Sequence, residues 1–317
     1  GIDKYFKLVK EVAGKDFFFN LKCFPYEFIA NYIKYLDPNY YKYCTKTTYE
    51  TIKELIQDEE LIAVLCGQFG DYGKTPKTSC FYVHAIIVSH YLEGGWFPKG
   101  GTGNIANYII KTIKENGGEV LVSKAVKQIL VDYDNNAYGV LMDNGDIIKA
   151  DCLVSGVGIK NTFTKLLENV DYSVEYDKLL NNIDSSVQHM YCFVKLEGTP
   201  EELKLRSSNL WIYPHKDYDK LINDFLEDPI EAPMPLFIGF SCMKDSDWNK
   251  KYEGYSNAII LTVAKKEFFS QWENKKSTKR GEDYERLKIL IGERMLEEAL
   301  YKYFPQTRGK VLDFNIA

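Results

Sequence analysis

The sequence lacks the short motifs that announce most enzyme chemistries. No Cys-x-x-Cys occurs among its seven cysteines (Cys23, Cys44, Cys66, Cys80, Cys152, Cys192 and Cys242). Their odd number and wide spacing argue against both a zinc site and a disulfide framework, leaving buried thiols in a reducing compartment as the expectation. Histidine is scarce, with only His84, His90, His189 and His215. His84 and His90 are six residues apart and cannot share a helical face as an i,i+4 metal pair does, so no metal site is expected. The P-loop pattern G-x-x-x-x-G-K-[ST] and the G-x-S-x-G nucleophile elbow are both missing. So is any G-x-G-x-x-G after a strand, which leaves no cradle for a dinucleotide pyrophosphate. The longest apolar runs, such as Leu61–Cys66 and Ala85–Val88, fall far short of the roughly 20 residues a membrane-spanning helix needs. Basic charge is in deficit too: the net charge is −5, which gives no basic face for nucleic acid.

Apolar and aromatic side chains are abundant. Hydrophobic residues make up 45% of the 317, and Tyr and Phe number 24 and 18, enough for a sizeable core and against disorder. The chain opens directly on helical spacing, with Tyr5, Phe6, Leu8, Val9 and Val12 on one stripe, and ends abruptly at Asn315-Ile316-Ala317. Both ends read as cuts through a longer protein. Residues 1–60 read as helices interrupted by a turn at Asp37-Pro38-Asn39, with a capping box at Thr47 and Glu50. Leu61–Cys66 continues the helices, residues 67–76 read as a loop, and Tyr82–Tyr91 is apolar enough to be buried.

From Trp96 to Lys160 glycines punctuate an α/β unit. Asn104–Asn116 places Ile105, Tyr108, Ile109 and Ile113 on one helical face, and Gly117-Gly118 stops it. Strands are expected at 119–122, 125–132, 137–142 and 147–150, with a hairpin turn at Asp143-Asn144-Gly145-Asp146 and a short buried strand at 152–155. Beyond it, strands are expected at 186–196, 209–214, 236–242 and 258–264. Helices are expected at 217–227 and 282–304, the latter with a core stripe of Leu287, Leu290, Ile291, Met295 and Leu300. The basic stretch 275–280 reads as a solvated loop.

Chemistry alone stops at an α/β protein with a Gly-rich unit. The segments HAIIVSHYLEGGWFPKGGTGNIA (84–106), GGEVLVSKAVKQILVD (117–132) and AYGVLMDNGDIIKADCLVSGVGIKNTFTKLL (137–167) go further. With the shorter segments at 209–213, 235–237, 279–284 and 303–306, they resemble the flavin amine-oxidase and phytoene-desaturase superfamily, and within it the retinol-saturase branch. The likeness runs from about residue 61 to the end, while the family's N-terminal FAD fingerprint and Gly-rich C-terminal segment are not found.

The resemblance implies an α/β fold: part of a Rossmann-like FAD-binding domain at 94–160, plus a mixed sheet-and-helix substrate domain, helical at 1–93 and sheet-bearing at 161–317. It implies FAD as cofactor, contacted by Gly100, Gly101, Val126, Ser155 and Gly156. NAD or NADP is the implied reductant. An apolar polyene is the implied substrate, to be saturated, desaturated or isomerised at a carbon–carbon double bond, and peripheral membrane association fits such a substrate. The proton such a reaction needs could come from His84, His90 or Tyr91, which precede the glycine turn, although a structural histidine fits the same position. An amine-oxidase chemistry, or a degenerate family member acting as a structural subunit, also fits the shared segments.

Overall fold

In the computed structural model the chain forms two units, Gly1–Asn104 with Val187–Ala317, and Ile105–Ser186. The structure describes residues 1–15, 28, 32, 35–167, 170, 178, 180–182, 187–276 and 279–317. Cys23 and the first residue of the strand expected at 186–196 lie outside these.

Among the described residues the first unit begins with α1 Ile2–Ala13, α2 Pro38–Thr45, α3 Thr48–Leu55, α4 Glu59–Cys66 and α5 Phe81–Tyr91. The expected stripe of α1 buries Tyr5, Val9 and Val12. The turn expected at Asp37-Pro38-Asn39 is instead the start of α2. Asp37 caps it by accepting from the Tyr40 N–H at 2.9 Å, and Pro38 takes the first helical position, where its missing N–H costs nothing. The capping box at α3 forms as read: Thr47 Oγ1 accepts from the Glu50 N–H, and the Glu50 carboxylate accepts from the Thr47 N–H at 3.1 Å. Residues 67–71 form a 3₁₀ turn rather than plain loop. The run at 82–91 is only partly buried: α5 covers Phe81, Tyr82, His84 and Ala85 and leaves Val83 and Tyr91 exposed.

The second unit takes in all but the first two residues of α6 Gly103–Glu115 and an antiparallel meander of β1 Val126–Val131, β2 Ala137–Met142 and β3 Ile147–Lys149. The strand at Val126 and the Asp143–Asp146 hairpin stand where the sequence puts them. Residues 119–122 and 152–155, expected as strands, are not in strands. Both have β-forming composition, but neither meets a partner strand among the described residues, and unpaired backbone does not hold an extended ladder. The apolar face of α6 forms as expected, yet Ile105, Tyr108 and Ile109 stay exposed.

The rest of the first unit is a five-stranded antiparallel sheet in the order β5-β6-β7-β4-β8. Its strands are β4 Gln188–Glu197, β5 Leu210–Ile212, β6 Leu236–Gly239, β7 Tyr255–Ala264 and β8 Val311–Ile316. β8 was not expected, because its six residues follow a helix and carry Asp and Asn. It exists because it pairs with β4, as Cys192 with Ile316 and Val194 with Phe314. Period-two alternation sends Met190, Cys192, Val194 and Leu196 of β4, with Ala258 and Ile260 of β7, into a core against α8 Glu282–Met295 and the wide helical turns that follow it, Leu296–Tyr301. Of the stripe expected there, Ile291, Met295 and Leu300 are buried and Leu290 is exposed. Arg280, placed in a solvated loop by the sequence, instead lays its guanidinium over the Tyr284 ring and donates to that hydroxyl at 2.7 Å.

Helix α7 Tyr218–Glu227 ties the sheet to α1–α5. Tyr218, Leu221 and Ile222 enter the same core cluster as Tyr5, Ile52, Ile62 and Phe81, and the Tyr218 hydroxyl donates to the Ala63 carbonyl at 2.9 Å. The opposite face of the sheet carries His189, Tyr191 and Phe193 of β4 and Ile259, Leu261 and Val263 of β7, and is the less covered one.

Candidate functional site

The glycine turn after Pro98 is held by charge from a distant segment. The Gly100 N–H donates to Asp245 Oδ1 at 2.8 Å, and the Gly100 carbonyl accepts from Lys251 Nζ at 3.0 Å. Asp245 is almost fully buried and also accepts from the Asp247 N–H at 3.0 Å. These N–H bonds, that of Gly100 foremost, hold its carboxyl below the usual carboxylate range. Gly100 has φ +83°, and an added Cβ would lie 2.6 Å from Asn104 Nδ2. Only glycine satisfies both the left-handed backbone and that close approach. Gly101 and Gly103 differ: a Cβ on either would meet nothing within 4 Å. The turn therefore has one clamped residue followed by open backbone.

In the second unit Val126 is the first residue of β1, paired with Met142 and partly exposed. Ser155 Oγ lies 2.7 Å from Thr162 Oγ1, and Gly156 is exposed with open space where a Cβ would stand. Ser155-Gly156 thus precedes the helical stretch that begins at Ile159, with its backbone free to be approached.

Of the three candidate proton donors, His84 is sealed in the core. Its Nε2 is 2.8 Å from the Tyr5 hydroxyl and its Nδ1 is 3.1 Å from the Tyr72 hydroxyl. Burial pushes its pKa down to about 4, so it is a neutral ring with one nitrogen donating and the other accepting. His90 is exposed and packs edge-on against Tyr91 at 5.3 Å. Tyr91 is exposed on the last turn of α5, and the nearby Asp71 carboxyl, which accepts from Gln68 Nε2, contributes to raising its pKa behind the larger effect of burial. Burial of its inner side raises the Asp71 pKa, so that carboxyl keeps a proton more readily than an exposed aspartate.

Asp71 stands at the rim of a hollow of about 260 Å³ between the Gly67–Asp71 turn and the open face of the sheet, lined chiefly by Phe69, Tyr191, Trp211, Tyr213, Phe237 and Leu261. Further along the same face a broader hollow of about 740 Å³ is lined by Phe193, Lys195, Trp248, Lys251, Tyr252 and Tyr255. Lys251 belongs both to this hollow and to the clamp on Gly100. Asp71, Trp211, Asp245 and Lys251 were not singled out from the sequence. The nearest signal was the Asp-rich DSD at 245–247, which by itself reads as a solvated turn.

The architecture is of the mixed α/β class, and a crystal structure of a Pyrococcus furiosus protein shares the fold. It aligns with a TM-score of 0.54 and 15% identity over 86% of this chain and 57% of that one. A sequence model described as flavin containing amine oxidoreductase matches residues 33–215, more than half of the 317, and the chain belongs to that family. The all-trans-retinol 13,14-reductase of Danio rerio is 32% identical over 98% of this chain and 53% of its own length. The enzyme of the same name from Rattus norvegicus is 35% identical over the same shares. The chain spans about half the length of these relatives.

Proposed function

We propose that the protein to which this chain belongs is an FAD-dependent oxidoreductase that reduces a carbon–carbon double bond of a retinoid-like or carotenoid-like polyene. One observation carries the reading: the likeness to enzymes named all-trans-retinol 13,14-reductase extends over 98% of this chain, through the sheet as well as the glycine turn. When bound, FAD supplies the hydride chemistry. Gly101 and Gly103 are the open backbone this reading assigns to it, on a turn that Asp245 and Lys251 fix; Val126, Ser155 and Gly156, of the second unit, are further cofactor-binding positions that the family resemblance implies. Residues 94–160 then form the cofactor side, and residues 1–93 with 161–317 the substrate side.

The open sheet face supports an apolar substrate. Its hollows are walled by rings and branched aliphatics, and burying such surface contributes about 25 cal/mol per Å² without a charged anchor. The second carbon takes a proton, and Tyr91, a phenol that keeps its proton at neutral pH, is the candidate this reading retains. NADH or NADPH is the reductant this reading adopts. Peripheral contact with a lipid phase would give such a protein access to an apolar substrate; among the described residues no helix is long and apolar enough to cross a membrane.

The test is purification of the whole protein followed by assay against all-trans-retinol, a carotenoid and a primary amine. Visible flavin absorbance together with two-hydrogen addition to a polyene supports the reading. A colourless protein, or a yellow one that oxidises amines and ignores polyenes, rejects it.

A further inference from the structure

The smaller hollow has an end wall, and the wall depends on a single missing side chain. Trp211, Phe237, Leu261 and Tyr191 are directly paired across four neighbouring strands, Trp211 with Phe237, Phe237 with Leu261 and Leu261 with Tyr191. Directly paired residues project from the same face of a sheet, so these four make one continuous apolar row. Three strand spacings make the row roughly 14 Å long. Phe193 extends it along β4, its ring stacked on Tyr191 at 5.8 Å and 8°, and leads to the broader hollow where Lys251 holds the Gly100 carbonyl. The row therefore starts beside the clamped glycine turn and stops at Trp211.

Trp211 is fixed in place. Its ring meets Phe237 edge-on at 4.8 Å and stacks on Tyr213 at 6.1 Å, and the Tyr213 hydroxyl donates to the Gly67 carbonyl at 3.0 Å. Gly70, in the turn that lines the hollow, abuts the far edge of the indole. A Cβ there would lie 2.1 Å from one carbon of the indole and 2.6 Å from the next, a contact no side chain tolerates. Gly70 is not among the glycines with positive φ, so its backbone would accept alanine. The ring alone demands glycine at this position.

We infer that this hollow is the distal subsite for the apolar end of a linear isoprenoid, that Trp211 is its end wall, and that Gly70 sets its depth by leaving room for the indole. The inference rests on the polyene reading above and adds the residues that select chain length. An alanine methyl at Gly70 drives the indole toward Phe237 and Leu261 and shortens the row. Removal of the indole lengthens it.

The experiment measures equilibrium binding of two probes, all-trans-retinol and the longer β-carotene, by the change in probe absorbance and fluorescence on the whole flavin-loaded protein. Gly70→Ala is expected to weaken retinol binding by roughly tenfold, the scale of one forced methyl in a packed site. Trp211→Ala is expected to shift the preference toward β-carotene. The double variant Gly70→Ala/Trp211→Ala should regain retinol binding relative to Gly70→Ala, because the methyl then has space. That recovery also separates a blocked site from a misfolded one. Wild-type protein that binds neither probe overturns the polyene reading and this inference together. Wild-type protein that binds retinol, with all three variants indistinguishable from it or with no recovery in the double variant, overturns this inference alone.

Discussion

Acid should unlock the helical core through His84. The ring has no solvent exposure and sits between the hydroxyls of Tyr5 on α1 and Tyr72 beyond the 3₁₀ turn. Burial lowers its pKa from 6.5 to about 4 in the folded state. Between those two values the unfolded chain binds a proton that the folded chain refuses, so stability falls as the pH falls. The contribution is fully present above pH 6.5, is lost progressively down to about pH 4, and does not fall further below it. At about 1.4 kcal/mol per unit the whole span is worth roughly 3 kcal/mol, and a shift from pH 7 to 4.5 removes most of it. Denaturant midpoints at those two values, in the wild type and in His84→Gln, isolate this group from the carboxylates that titrate in the same range. Glutamine keeps a donor and an acceptor but cannot be protonated, so the variant should start less stable and lose less on acidification. Equal acid losses in the two proteins would refute the account of a neutral, solvent-free imidazole.

Three further outcomes are expected. Phe240→Ala should cost about 3–5 kcal/mol in urea denaturation, since that ring is fully buried and packs edge-on against Phe304 at 4.7 Å; a loss under about 1 kcal/mol would mean that the sheet core is not packed as described. Thr47→Ala should cost about 1 kcal/mol by removing one half of the capping box, read as a lowered unfolding midpoint with an unchanged slope. Gly100→Ala and Gly101→Leu should both lower the flavin-to-protein ratio of the purified whole protein. Alanine at Gly100 breaks the clamp to Asp245 and Lys251, and leucine at Gly101 both strains a backbone held at φ +96° and fills the open space beside it. Full occupancy in both variants would remove the turn from the cofactor side.

Local features were the legible ones. Thr47 and Glu50 are three residues apart and satisfy each other's backbone, so the start of α3 is written in four letters. The β1–β3 meander is likewise fixed by alternation and by its turn residues. Features that depend on a remote partner were not readable. β8 needs β4, more than a hundred residues earlier, while 119–122 and 152–155 have strand composition and no strand to join. Pro38 supports a turn and a helix start equally until the Asp37 cap decides.

The site divides the same way. The glycine turn entered the candidate site through the family resemblance of 84–106, but the charges that clamp it come from 245 and 251. The smaller hollow joins a 3₁₀ turn at 67–71 to strands at 191, 211, 237 and 261, and no window of sequence holds them together. His84 stood out as a titratable residue beside the turn, and the structure shows a ring whose two partners are core tyrosines.

The most direct measurement is a single turnover. The whole protein, with its flavin reduced in the absence of oxygen, is mixed with all-trans-retinol, and flavin absorbance is followed while the retinoid is recovered for mass analysis. The proposed function predicts that the flavin reoxidises at a rate set by retinol concentration and that the product gains two hydrogens at one double bond. Flavin that stays reduced while the retinoid returns unchanged, in protein that a primary amine can reduce from the oxidised form, would contradict it.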